Sequence, residues 1–137
     1  MTRESVLELD NGLQELLMGE WEDAAIFLTL ANRLEGSRAE TLLRRLYTEE
    51  QAHADYLKGL CVLRGLQPLT RIIPEAHMPP EEILRLCYGR QMRRLAAYEA
   101  RSRYFPQGEF TRLALQEREH CQQILELIRK LKRKANT

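Results

Sequence analysis

Apolar residues recur at spacings of three and four along most of this 137-residue chain, and this period constrains the fold more than any other feature. Such spacing places side chains on one face of an α-helix, whereas a half-buried strand requires strict alternation. Glycine and proline divide the periodic sequence into stretches at residues 4–34, 37–64, 80–104 and 109–134. None of these stretches alternates as a strand would. The sequence therefore predicts an all-α protein of four helices.

The connections between the stretches predict how the helices are arranged. The first and third connections are short, whereas residues 66–79 contain three prolines and have no sustained period. Short, long and short connections predict two antiparallel helical hairpins joined by one crossover, in a single four-helix-bundle domain spanning residues 1–137. At the start of the second stretch, Ser37-Arg38-Ala39-Glu40 has the pattern of a capping box. It predicts that Ser37 caps the second helix.

Composition and charge argue against several classes of protein. The net charge of +1 creates no global field for nucleic acid, and the basic run at residues 129–134 is explained by a helix C-terminus. No apolar run approaches the roughly 20 residues that span a membrane, and no signal peptide begins the chain. We therefore expect no nucleic-acid partner, no membrane partner and a cytoplasmic location.

The three cysteines, Cys61, Cys87 and Cys121, are odd in number and form no Cys-x-x-Cys pair. This pattern argues against a disulfide framework and against a zinc ribbon. We interpret the cysteines as small buried residues of a protein in a reducing compartment.

Ionisable residues interrupt the apolar stripes of the first, second and fourth helices near their middles. The stripes are Leu13, Leu17, Glu20, Ala24, Phe27, Ala31 and Leu34 on the first helix, Leu43, Leu46, Glu50, His53, Leu57 and Leu60 on the second, and Phe110, Leu113, Glu117, His120, Ile124, Leu127 and Leu131 on the fourth. Burying an unpaired carboxylate is costly. Repeated interruptions at a similar depth therefore indicate a shared function.

Two of the interruptions are Glu-x-x-His motifs, formed by Glu50 with His53 and by Glu117 with His120. A spacing of three places the carboxylate and the imidazole on one face, a single turn apart. One such motif is weak evidence, because a single histidine is more often an ordinary core or surface residue. Two motifs, each inside an apolar stripe on the second helix of a hairpin, favour metal ligation. Imidazole with several carboxylates suits iron or manganese, with zinc as an alternative.

In these motifs the sequence resembles the ferritin-like superfamily, and within it the small rubrerythrin-type di-iron proteins, over residues 7–131. In that family two helices each contribute one glutamate and the other two each contribute Glu-x-x-His. The resemblance implies two bound iron ions. It implies as metal ligands Glu20, Glu50, His53, Glu117 and His120, with Glu50 and Glu117 bridging the ions and Glu20 terminal.

The third helix departs from the family pattern. Residues 20–27 align internally with residues 91–98, so Gln91 stands at the sixth ligand position in place of a glutamate. An amide offers one neutral oxygen or leaves the position open, so we expect the second metal to be held more weakly. Glu99 lies two turns, about 12 Å, from Gln91 and becomes a ligand only if this register is wrong. We expect His77, in the crossover, not to bind metal.

Three functions remain open. The first is a rubrerythrin-like oxidoreductase of the peroxidase or ferroxidase type, which reduces peroxide or dioxygen or oxidises iron. Its electrons are expected from an external donor, because the sequence contains no rubredoxin domain. The second is a metal-binding bundle without turnover, and the third is a structural or interaction bundle that has lost its metals. The sequence does not identify which residues are catalytic.

A second apolar stripe lies on the first helix, away from the predicted metal ligands, and consists of Met18, Trp21, Ala25 and Leu28. Apolar patches of this kind often mark an interface, although a broad core-facing surface also explains the pattern. It predicts a homodimer.

Overall fold

The computed structural model describes residues 3–67, 77–104 and 108–135, with side-chain burial described for residues 12–67, 77–104 and 108–134. Over these residues the chain forms four α-helices and no strand: α1 (Arg3–Arg33), α2 (Ala39–Leu63), α3 (Pro80–Tyr104) and α4 (Glu109–Ala135). The all-α prediction is confirmed, and each helix begins and ends within two residues of its predicted bounds. Most of the predicted crossover, residues 68–76, lies outside the described residues.

Helices α1 and α2 pack against each other in the first of two compact units, Met1–Pro74, which we call the first hairpin. Its predicted apolar stripes are buried, apart from Leu34 and Leu60 near the helix ends, which are half-buried. The buried apolar positions include Leu13, Leu17, Ala24, Phe27, Ala31, Leu43, Leu46 and Leu57. The helical period of three to four therefore identified the faces that this hairpin buries.

The turn before α2 differs from the predicted capping box. Arg38 is the residue that precedes the helix, and no side chain caps it. The Ser37 hydroxyl has no hydrogen-bond partner. Instead the Glu40 carboxylate accepts a hydrogen bond of 3.0 Å from the backbone N–H of Gly36, whose φ of 83° suits glycine. The Ser37 cap was wrong, because Arg38 precedes the helix and Ser37 offers its backbone carbonyl, not its hydroxyl, to the N–H of Glu40, at 3.3 Å.

Gly65 ends α2, as the sequence predicted. Its φ is 70°, the left-handed conformation in which a glycine commonly terminates an α-helix. The N–H of Leu66 donates to the carbonyl of Cys61 at 2.8 Å, and the N–H of Gly65 donates to that of Val62 at 3.1 Å. These two bonds form a Schellman motif, which satisfies carbonyl groups at the helix end.

Helices α3 and α4 pack against each other in the second compact unit, Glu75–Thr137, which we call the second hairpin. Pro80 begins α3, consistent with the preference of proline for a first helical turn. The Tyr98 and Phe110 rings, 6.1 Å apart, link the two helices. The other buried apolar residues include Ile83, Leu84, Leu95, Leu113, Ile124 and Leu127.

All three cysteines are buried and none of them forms a disulfide, as interpreted from the sequence. Along the described residues, no helix combines the length and the apolar character that crossing a bilayer requires. The single domain over residues 1–137 stays a prediction, as does the homodimer.

Candidate metal centre

Four polar side chains are buried midway along the first hairpin. Glu20 and Asp23 come from α1, one turn apart, and Glu50 and His53 come from α2 with the same spacing. None is more than 2% exposed. They are buried because each follows the helical period of its apolar stripe, so the packing that covers the leucines also covers them.

Three of these side chains converge. The Nδ1 atom of His53 lies 3.5 Å from Oε1 of Glu20 and 3.9 Å from Oε1 of Glu50. Each residue offers a ligand atom within 4.8 Å of those of the other two. Nitrogen and oxygen ligands bind a zinc-sized ion at about 2.0–2.2 Å, so two ligands of one ion lie at most about 4.3 Å apart. Both histidine–carboxylate distances fit that limit.

The charge of the first hairpin also suits a cation. Three buried carboxylates, Glu20, Asp23 and Glu50, accompany one imidazole. Taking ionised carboxylates out of water is expensive unless a positive charge lies close to them. A divalent ion held by Glu20, Glu50 and His53 would supply that charge. The ligand types and distances in this hairpin therefore fit a metal ion.

The second hairpin buries four polar side chains at the corresponding helix positions, with a different charge. Gln91 and Arg94 come from α3, and Glu117 and His120 from α4, and none is more than 5% exposed. Gln91 is fully buried, consistent with the face that its periodicity predicted. The Nδ1 atom of His120 lies 3.8 Å from Oε1 of Glu117.

Arg94 is a residue of this cluster that the sequence reasoning missed. Its Nε atom lies 3.7 Å from Oε2 of Glu117. This separation is too long for a hydrogen bond, so the contact is an ion pair between two buried charges. Because a guanidinium ligates no metal, the second hairpin fits a metal ion less well than the first.

A signal for Arg94 was present in the sequence. The internal alignment of residues 20–27 with residues 91–98 pairs Gln91 with Glu20 in sequence. The same alignment pairs Arg94 with Asp23. Asp23, equally buried, was missed for the same reason: only the first residue of each pair was considered. Both pairs have the i, i+3 spacing that was recognised in the Glu-x-x-His motifs.

The other residues weighed from the sequence lie elsewhere. The Glu99 carboxylate is 39% exposed and accepts a hydrogen bond of 2.7 Å from Nη2 of Arg118. The neighbouring face of α3 contains Gln91, which is buried. His77 is exposed, and that it binds no metal stays a prediction.

No protein-family model matches the sequence, and no curated protein matches it. Among solved structures, the fold is similar to a crystal structure described as that of ferritin like, diiron-carboxylate proteins from Bacillus anthracis str. Ames. The TM-score is 0.66 at 21% sequence identity, over 97% of this chain and 98% of that one. The chain thus has the ferritin-like fold, an all-α four-helix bundle, as the sequence predicted.

Proposed function

We propose that this protein is a metal-binding protein of the rubrerythrin type with a dinuclear, iron-binding centre. The observation that carries the proposal is the convergence of Glu20, Glu50 and His53, all buried, with ligand atoms within 4.8 Å of one another. The full set of proposed ligands is Glu20, Glu50, His53, Gln91, Glu117 and His120. Each hairpin contributes one glutamate–histidine motif, and Gln91 is the weakest member.

The ligand chemistry supports iron, with manganese and zinc as alternatives. Carboxylate oxygen with imidazole nitrogen suits iron and manganese, and a site of soft thiolates would have indicated a different choice. The described thiols are not part of the convergent group. The diiron-carboxylate description of the structural neighbour adds support at the level of the fold.

The activity that we propose is redox chemistry: the reduction of peroxide or dioxygen, or the oxidation of ferrous iron. Bound iron would supply the exchange of electrons, since no side chain of this set does so itself. The chain's own part is to hold the ion through Glu20, Glu50 and His53, and to bury it away from bulk water. An external electron donor, a homodimeric assembly and a cytoplasmic location complete the proposal.

Metal binding without turnover is the second candidate. It is favoured by the second hairpin, where Gln91 and Arg94 replace negative charge with a neutral amide and a guanidinium. A bundle that has lost its metals altogether is opposed by the first hairpin, because Glu20, Glu50 and His53 bring ligand atoms within 4.8 Å of one another.

An anaerobic titration of the metal-free protein with ferrous iron tests the proposal. We expect wild type to bind iron at micromolar concentration, and Glu20→Gln to bind it at least about tenfold more weakly, a loss of about 1.4 kcal/mol. Glu15→Gln is the matched control, since Glu15 is an exposed acid on the same helix. A wild type that binds no iron, manganese or zinc would refute the proposal.

Peroxide added to the iron-loaded protein then separates the two candidates. Oxidation of the bound iron faster than that of free ferrous iron, followed by re-reduction with a chemical donor, supports a redox protein. Iron that is bound but not oxidised faster supports metal binding without turnover.

A further inference from the structure

The two hairpins bury polar residues at matching helix positions, yet these residues carry different charge. In the first hairpin the helix preceding the Glu-x-x-His motif contributes Glu20 and Asp23. In the second, the matching positions are Gln91 and Arg94. Each hairpin buries the glutamate and the histidine of its own Glu-x-x-His motif. The first hairpin adds two carboxylates to them, whereas the second adds a neutral amide and a permanent positive charge.

Arg94 differs from a passive core residue because of its partner. Arginine keeps its proton at any pH at which proteins are folded. Its Nε atom lies 3.7 Å from Oε2 of Glu117, and the two side chains are 6% and 0% exposed. The guanidinium thus compensates the charge of Glu117, which is the charge that a bound metal ion would otherwise compensate.

We propose that Arg94 is a resident counter-charge that takes the place of a metal ion in the second hairpin. This inference rests on the proposed function. A first metal ion binds tightly in the centre that includes Glu20, Glu50 and His53. A second ion binds only weakly, because it competes with the positive charge of Arg94.

Gln91 alone does not account for this difference. Replacing a glutamate with glutamine removes one negative charge and leaves a neutral oxygen that still contacts cations. An arginine at the position where the first hairpin has Asp23 changes the local charge by two units. It also adds a cation that repels a metal cation. The change at Arg94 is thus electrostatically the larger of the two.

The test counts ferrous ions bound per chain, by anaerobic titration and elemental analysis, in wild type and three variants. Arg94→Gln removes the charge, Arg94→Lys retains it, and Arg93→Gln removes an exposed arginine of the same helix. We expect wild type, Arg94→Lys and Arg93→Gln to bind one ion tightly. In Arg94→Gln we expect a second ion to bind roughly tenfold or more tighter than it does in wild type.

Two equally tight ions in wild type, or no change of the second ion in Arg94→Gln, would overturn the inference while leaving the proposed function intact. A wild type that binds no metal would overturn the proposed function, and the inference with it.

Refolding with metal covers the case in which Arg94→Gln does not fold on its own. Ferrous iron present in excess during anaerobic refolding would supply the positive charge that Glu117 has lost. After gel filtration, elemental analysis should find more ions per chain in Arg94→Gln than in wild type treated in the same way. The same count in both proteins, or no recovery of folded Arg94→Gln with iron, would overturn the inference.

Discussion

The Nε atom of Arg94 lies 3.7 Å from the Oε2 atom of Glu117, and both side chains are buried in the second hairpin. Buried ion pairs are seldom a source of net stability, because desolvation of the two charges offsets most of their attraction. Removing one partner is nevertheless costly, since the remaining charge stays buried. Such a pair is more informative about function than about stability.

Arg94→Met should lower the free energy of unfolding of the metal-free protein by about 3 kcal/mol, because Glu117 is left without its guanidinium. The double variant Arg94→Met/Glu117→Met should lie within about 1 kcal/mol of wild type, as exchanging both charges for apolar side chains is often neutral. Urea unfolding of wild type, the double variant and both single variants measures the coupling. Additive effects of the two single variants would contradict a stabilising interaction between Arg94 and Glu117.

Ferrous iron should stabilise the folded protein through Glu50. A ligand that binds only the native state adds about 2.7 kcal/mol at one hundred times its dissociation constant. The melting temperature of wild type should therefore rise when iron is added anaerobically, and that of Glu50→Gln should hardly change. Asp55→Asn, an exposed acid on the same helix, should respond as wild type does. An equal rise in all three proteins would mean that iron binds elsewhere.

Gln91→Glu should increase the number of ions bound toward two per chain, because a carboxylate can chelate and adds a negative charge. It should also destabilise the metal-free protein, since Gln91 is fully buried and an acid there lacks water. Ion counting and urea unfolding measure the two effects.

Glu99→Gln is the control for that experiment. The Glu99 carboxylate accepts a hydrogen bond from Arg118 near the surface, so its loss should leave the ion count unchanged. If instead Glu99→Gln lowers the count and Gln91→Glu has no effect, the register assigned to α3 is wrong.

The turn before α2 should make stability depend on acid pH. The pKa of Glu40 is lowered from its ordinary value of 4.5, first by the hydrogen bond from the Gly36 backbone and then by that from the Arg44 side chain. A lowered folded-state pKa contributes stability above the unfolded-state pKa, and that contribution is lost as pH falls through the folded-state value.

Glu40→Gln should therefore be less stable than wild type at neutral pH, and the difference should shrink as the pH falls below 4.5. Urea unfolding across this pH range measures the difference. Glu35→Gln, an exposed acid in the same connection, should show no such trend. A difference that is constant with pH would contradict the role of the ionised carboxylate.

The second stripe of α1 should form a homodimer interface. Met18, Trp21 and Leu28 are half-buried and Ala25 is exposed, which leaves apolar surface for a partner. Light scattering should give about twice the chain mass of 16.1 kDa for wild type and the chain mass for Trp21→Glu. Leu115→Glu, which changes an exposed leucine on α4, is the control. A wild-type mass of 16.1 kDa at micromolar concentration would refute the dimer.

The sequence allowed the helices to be predicted because their signals are local. The three-four period marked the buried faces, and Gly65 and Pro80 marked where α2 ends and α3 begins. The burial of Glu20, Glu50 and His53 was predictable for the same reason, since each occupies a core position of its own helix. Periodicity alone therefore specified which groups in the first hairpin are removed from water.

What could not be predicted depends on contacts between helices. Arg94 follows the same period as its buried neighbours, but an arginine is normally placed at the surface, and its burial depends on the position of Glu117 on another helix. The capping of α2 failed for a related reason. Whether the side chain of Ser37 or that of Glu40 accepts a backbone hydrogen bond in this turn depends on the left-handed conformation of Gly36. Residue types alone do not fix that conformation.

The positions of the three thiols allow local unfolding of each hairpin to be followed separately. Cys61 lies on α2 in the first hairpin, whereas Cys87 and Cys121 lie on α3 and α4 in the second. A buried thiol reacts with an alkylating reagent only in molecules whose surrounding helices have opened. Because the first hairpin carries one buried cysteine and the second carries two, the order of alkylation under native conditions tells which hairpin opens first. No cysteine has to be introduced by mutation to follow the opening of either hairpin.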